Sequence, residues 1–259
     1  MKYYIILIAL FIVLFILYLI FVRKLRIKWH TLITRGFRPS RANFGLYTYT
    51  GNQGKGKTYS LIEYIYDNQN DCFFFTNIQN ITCLDYYKVK EDTNANAIYY
   101  KGFDGLIKCK EYLDRGLYDS MIKDKQVVFI FDELFTELTR GTKLSLQVQD
   151  FLCQLRKRKI IFLTTAQVWP EIPLYFRRLC RFQINCNMFP FLKTGFLIKE
   201  FNDAENMKWD EELQEHVAPT LELSFSKVRR VISSCYDTRE RIEAENIYST
   251  SDKNNALKP

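Results

Sequence analysis

The most constraining stretch of this chain is "YTGNQGKGKTYS", residues 49–60, in which three glycines and two lysines crowd into a few positions. Before it stands a short β-rich run, "FGLYTYT". After it, "KTYSLIEYIYDNQ" places Leu61, Ile62, Ile65 and Tyr66 at helical spacing. The order is therefore strand, glycine-rich loop, helix. Gly51-Asn52-Gln53-Gly54-Lys55-Gly56-Lys57-Thr58 matches G-x-x-x-x-G-K-[ST] in full. A loop of this kind wraps its backbone N–H groups around phosphate oxygens. Glycine allows both the tight turn and the close approach. The following helix directs its positive end at the same anion. The expectation is a nucleotide site over Gly51–Thr58, with Lys57 reaching the β- and γ-phosphates and the Thr58 hydroxyl binding Mg2+. The competing reading is a flexible, solvated turn.

The rest of such a site should come from neighbouring strands. "QVVFIFDEL" (126–134) is an almost uninterrupted apolar run that ends in two acids. Asp132 is expected to hold Mg2+, directly or through water, and Glu133 to polarise an attacking water. "KIIFLTTAQ" (159–167) is a second buried strand, whose carboxyl end presents Thr164, Thr165 and Gln167. Ligands bind at that edge of an open α/β sheet, so Gln167 is a candidate γ-phosphate sensor. "CFFFTNI" (72–78) reads as another buried strand. "RFQINCNMF" and "GFLIKEF" read as a further pair. The polar, Asn-rich stretch 84–103 reads as a surface insertion. Continuous apolar strands alternating with helices predict an α/β fold with a parallel sheet covered on both faces.

The N-terminus carries a different signal. "YYIILIALFIVLFILYLIFV", Tyr3 to Val22, holds no charge. Twenty such residues in a helix span about 30 Å, the thickness of a bilayer core. The run continues into "FVRKLRIKW", with no small-residue cleavage site, and predicts an uncleaved transmembrane helix. Arg23, Lys24, Arg26 and Lys28 follow it, against Lys2 before it. That asymmetry predicts a single-pass membrane protein with the remainder in the cytoplasm. The expected organisation is an anchor over 1–23, a basic linker over 24–43, an ATPase domain over 44–248 and a disordered tail over 249–259. The formal net charge of +8 suits nucleic acid or an anionic membrane surface. Seven scattered cysteines without a C-x-x-C pair, and two distant histidines, argue against a zinc site and for reduced thiols.

With these residues in place, the chain resembles the Zot-like branch of P-loop ATPases. That branch includes the zonula occludens toxin domain and the assembly proteins of filamentous phages, and lies near the FtsK–HerA group with its viral DNA-packaging ATPases. The matching segments are "YTGNQGKGKTYS", "FFFTNIQNI", "FIFDELFTEL" and "LCQLRKRKIIFLTTAQVWPEIPLYFRRLC", together covering about residues 44–190. The resemblance implies a RecA/FtsK-like fold and ATP hydrolysis with Mg2+. It implies catalytic roles for Lys57, Glu133 and Gln167, and metal binding by Thr58 and Asp132. It further implies a homo-oligomeric ring acting on viral or phage DNA, with other assembly proteins as partners, in export, packaging or virion assembly. The basic runs "LRKRK" (155–159) and "YFRRLCRF" (175–182) could supply the arginine that a ring ATPase donates across a subunit interface, bind DNA phosphates, or form solvated surface; Arg177 and Arg178 are the candidates for the first role. The chain departs from the phage assembly proteins in one respect: its apolar span precedes the ATPase segments, which argues against a toxin role. The alternatives are a membrane-bound regulatory NTPase or kinase, and a non-hydrolysing nucleotide-binding scaffold.

Overall fold

The computed structural model describes residues 2–21, 26–27, 44–86, 95–134, 138, 143–191 and 194–236. Most of the basic linker, the 87–94 segment and the expected tail lie outside the described residues. Helix α1 (Lys2–Phe21) is the apolar N-terminal run. Its described side chains are all exposed and extend from Tyr3 to Leu17, about 22 Å of helix. Among the described residues no helix is long and apolar enough to cross a membrane.

The remaining elements build one large sheet with helices on both faces. They run β1 (Arg26–Ile27), β2 (Gly45–Thr50), α2 (Lys57–Asn68), β3 (Cys72–Thr76), β4 (Ala97–Tyr99), α3 (Gly102–Asp114) and α4 (Asp119–Ile122). Then come β5 (Gln126–Phe131), α5 (Leu146–Gln154), β6 (Ile161–Ala166), α6 (Leu174–Arg177), β7 (Cys180–Phe191), β8 (Thr194–Asp203), β9 (Lys208–Asp210), β10 (Glu215–Val217), β11 (Thr220–Lys227) and α7 (Arg230–Ser233). The nine-stranded sheet has the order β1-β11-β8-β7-β2-β6-β5-β3-β4, and β9 and β10 form a separate antiparallel pair.

From β4 through β3, β5, β6 and β2 to β7 every pairing is parallel. Each residue of β2, β3 and β6 is buried, which is why β3 and the first half of β6 read as continuous apolar runs; β2 buries Thr48 and Thr50 between its tyrosines. On one face, Phe129 stacks between Phe75 at 4.5 Å and Phe162 at 6.2 Å, within a core that also takes Leu106 of α3 and Phe151 of α5. On the other face, Leu61, Ile62 and Ile65 of α2 pack with Tyr47, Tyr49, Phe74, Ile130 and Leu163. The helical spacing of α2 and the two-residue period of the strands meet there.

Two expectations need correction. The sheet is not wholly parallel: β7–β8 and β8–β11 are antiparallel. Only residues 192 and 193 separate β7 from β8, too few for a parallel crossover. The 84–103 stretch is not all surface insertion either. Ala97–Tyr99 form β4 on the sheet edge, and Tyr100 is buried, its hydroxyl donating to the Ile130 carbonyl at 2.8 Å. The apolar "AIYY" inside the polar stretch is the reason. In addition, Arg26–Ile27 pair in parallel with Glu222–Leu223, which places part of the basic linker on the opposite sheet edge.

Candidate nucleotide site

The glycine-rich loop leaves β2 at the carboxyl edge of the sheet and enters α2 at Lys57. Two of its glycines are sterically required. Gly51 has φ +138°, and a Cβ there would lie 2.7 Å from the Cys186 carbonyl oxygen of β7. Gly56, at the N-cap of α2, has φ +87°, and a Cβ would lie 2.8 Å from Met188 Cε and 2.9 Å from Leu197 Cδ1. No side chain caps the first turn of α2. Its leading N–H groups and its positive end are therefore left for an anion.

Lys57 is half-buried, and its ammonium donates to the Asn52 carbonyl at 3.1 Å, bending back over the loop. Burial lowers its pKa from the ordinary lysine value; the charges of Asp132, Cys186 and Glu133 oppose that shift. The group thus stands near carboxylates yet incompletely solvated, a condition that bound phosphate would relieve.

Asp132, just past the end of β5, is the centre of a network joining three strands to α2. The Thr58 hydroxyl donates to its Oδ2 at 3.1 Å. The Thr165 hydroxyl of β6 donates to its Oδ1 at 2.5 Å and accepts the Glu133 N–H at 2.7 Å. The Asn77 side chain clamps the Asp132 backbone from both sides, donating to its carbonyl at 2.9 Å and accepting its N–H at 2.7 Å. Glu133 is exposed and has φ +57°. A non-glycine residue held in that region costs about 1–3 kcal/mol. Here the Thr165 hydrogen bond fixes the turn that directs Glu133 out of the strand.

The donor set fits Mg2+. Thr58 Oγ1 and Asp132 are hard oxygen ligands already in contact, and Mg2+ uses one or two protein ligands with phosphate and water completing the octahedron. Among the described residues no group of three or more His, Cys, Asp or Glu side chains forms a separate metal site. All seven cysteines are free thiols, and burial pushes Cys109 up to about 11 and Cys180 up to about 12.

The structure brings together most of the expected residues. Gly51 to Thr58, Asp132 and Glu133 converge at one edge. Gln167 joins them: its carbonyl accepts the Gly51 N–H at 3.3 Å, and its side chain is exposed beside the loop. Arg177 and Arg178 do not join. Cys180 pairs with Leu46 at the start of β2, so both arginines lie at the amino edge of the sheet, about 16 Å of strand from the loop. Arg177 is buried, its Nε donating to the Ile172 carbonyl at 3.1 Å and its guanidinium lying 5.9 Å from the Trp169 ring. The Arg177 guanidinium is thus engaged within the chain, whereas Arg178 is exposed. In the preceding basic run, Arg156 pairs with Glu205 and Arg158 with Asp114. Asn77 is a site residue that the sequence reading misses, although it sits in "TNI" at the end of a buried strand, where a polar side chain has to find a local partner.

No protein-family model matches the sequence, and no curated protein matches it. Solved structures do. The genome-packaging NTPase B204 of Sulfolobus turreted icosahedral virus 2, in complex with AMPPCP, is 11% identical with a TM-score of 0.46, covering 71% of this chain and 97% of its own. The N-terminal domain of zonular occludens toxin from Neisseria meningitidis is 15% identical with a TM-score of 0.43, covering 74% and 98%. B204, the DNA-packaging ATPase from Sulfolobus turreted icosahedral virus, is 10% identical with a TM-score of 0.44, covering 71% and 97%.

Proposed function

We propose that this chain is a Mg2+-dependent ATPase of the Zot-like type, anchored by α1 and coupling hydrolysis to the movement or assembly of viral DNA at a membrane. The observation that carries the catalytic part is the connected set Thr58–Asp132–Thr165–Glu133. It links the helix behind the glycine-rich loop to the acid-bearing strand through the Thr58 hydroxyl, and it supports a role for Glu133 beside a bound γ-phosphate. Mg2+ held at Thr58 and Asp132 would neutralise charge on the β- and γ-phosphate oxygens. Lys57 would leave the Asn52 carbonyl for phosphate oxygen. Glu133 would orient the attacking water and accept its proton, and Gln167 would contact the γ-phosphate from the adjacent strand.

The membrane part rests on the uncharged run from Tyr3 to Val22 and its basic flank, together with the exposure of the described α1 side chains. The DNA and ring parts rest on the sequence resemblance and on the net charge. Arg178 is the remaining candidate for action across a subunit interface. ATP hydrolysis by the full chain in detergent, measured with and without added DNA, tests the reading. Mg2+-dependent turnover that DNA stimulates supports it, and turnover indifferent to DNA points to a regulatory NTPase or kinase. Binding without turnover points to a scaffold. A soluble form should be cut before Arg26, because Arg26–Ile27 belong to the sheet.

A further inference from the structure

The functional reading accounts for the phosphate end of a nucleotide and leaves its base without a seat. The sheet order fixes where that seat must be. Asp132, Glu133, Thr165 and Gln167 all come from β5 and β6, on one flank of β2. A triphosphate with its γ end toward them sends its nucleoside over the other flank, toward β7 and β8.

There the sheet has an overhang. β2 ends at Thr50, paired with Asn185, whereas β7 and β8 remain paired from Cys186 with Lys199 out to Phe191 with Thr194. The overhang lies close to the loop at both ends: a Cβ at Gly51 would meet the Cys186 carbonyl, and one at Gly56 would meet Met188 and Leu197. Beyond these contacts Phe189 and Phe196 stand opposite each other across the ladder. Their relative exposures are 46% and 41%, although neighbouring Cys186 and Leu197 are buried. The ammonium of Lys55, a loop residue, lies 5.8 Å from the Phe189 ring centroid, which locates that ring beside the phosphate cradle.

We infer that Phe189 and Phe196 form a stacking platform for the base of the bound nucleotide. This inference rests on the phosphate-site reading above. An aromatic face is sequence-tolerant for bases, because every base has a π-face, and its truncation to alanine weakens binding about tenfold or more. Both side chains keep exposed surface that a base would cover. Opposed residues on an antiparallel pair lie side by side, so the two side chains share one face of the ladder.

The test compares two ligands that share the phosphates and differ in the base. Mg·ATP and magnesium tripolyphosphate are titrated calorimetrically into the full chain in detergent. Phe189→Ala is expected to weaken ATP about tenfold and to leave tripolyphosphate within about twofold. Phe189→Trp should restore ATP binding, with tryptophan quenching by ATP and none by tripolyphosphate. Phe196→Ala should act in the same direction, more weakly. Equal weakening of both ligands, or unchanged ATP affinity, overturns the platform while leaving the phosphate site intact. A wild-type chain that binds neither ligand overturns the phosphate-site reading and the platform with it.

Discussion

Helix α2 carries a charged cluster at each end, and the two are built on opposite rules. At its amino end, Lys57 and Thr58 face Asp132 and Glu133 around an uncapped helix start, with the lysine parked on a loop carbonyl. Further along, Glu63 and Asp67 are closed off within the chain. Glu63 meets the Lys199 ammonium of β8 at 2.6 Å, both side chains 5% exposed, and Arg229 lies 3.6 Å from Glu63 and 2.9 Å from Asp67. The second cluster satisfies itself and ties α2 to the antiparallel part of the sheet. The first leaves the leading N–H groups of α2 without a side-chain cap and holds a partly desolvated cation on a loop carbonyl. A charged group is a site when its best partner is absent from the chain, and a fastener when that partner is present.

The strongest way to break the contrast is Lys57→Ala. It should abolish detectable ATP binding and turnover without lowering the melting temperature; hydrolysis at the wild-type rate would remove the site. Glu133→Gln should cut turnover by about 10²–10⁴ while ATP affinity stays within a few-fold. Calorimetry beside a phosphate-release assay separates the two effects. Lys199→Met should do the reverse. It leaves the buried Glu63 with only the longer Arg229 contact and should cost up to about 3 kcal/mol of stability, read by urea melts, and a saturating ATP titration should still reach one ligand per chain. Adding Glu63→Leu should recover much of that loss, since a buried pair replaced by apolar side chains is often neutral.

The smallest effect concerns pH. Burial depresses the Lys57 pKa in the folded chain, so the folded state binds fewer protons than the unfolded state between that lowered value and 10.5. Stability from this group therefore rises with pH across that window, and its charge costs stability below it. Lys57→Met should be slightly more stable than wild type at about pH 7, and the gap should narrow by about pH 10. A gap that widens with pH reverses the sign and refutes the desolvation account.

Legibility follows the range of the interactions. The octet Gly51–Thr58 is readable because its chemistry is local: three glycines, a lysine and a threonine within a single short loop. The strands carrying Asp132 and Gln167 are readable because parallel strands buried on both faces leave continuous apolar runs. Asn77 is not, since its role depends on a backbone 55 residues away that only strand pairing brings near. Arg177 looks available in the sequence because a sequence shows charge and not burial.

By itself, then, the sequence determined a glycine-rich loop between strand and helix, a buried strand ending in two acids, and an uncharged N-terminal run. Those are properties of composition and short period, which propensity and burial enforce residue by residue. Only the tertiary structure decided which strand lies beside which. It put β6 between β2 and β5, so that Thr165 can hold Asp132 and Glu133 together. It moved the arginines to the far edge, closed Glu63 on Lys199, and stood Phe189 beside the loop. These placements come from hydrogen-bonded pairing between residues distant in the chain, and no local pattern encodes such pairing.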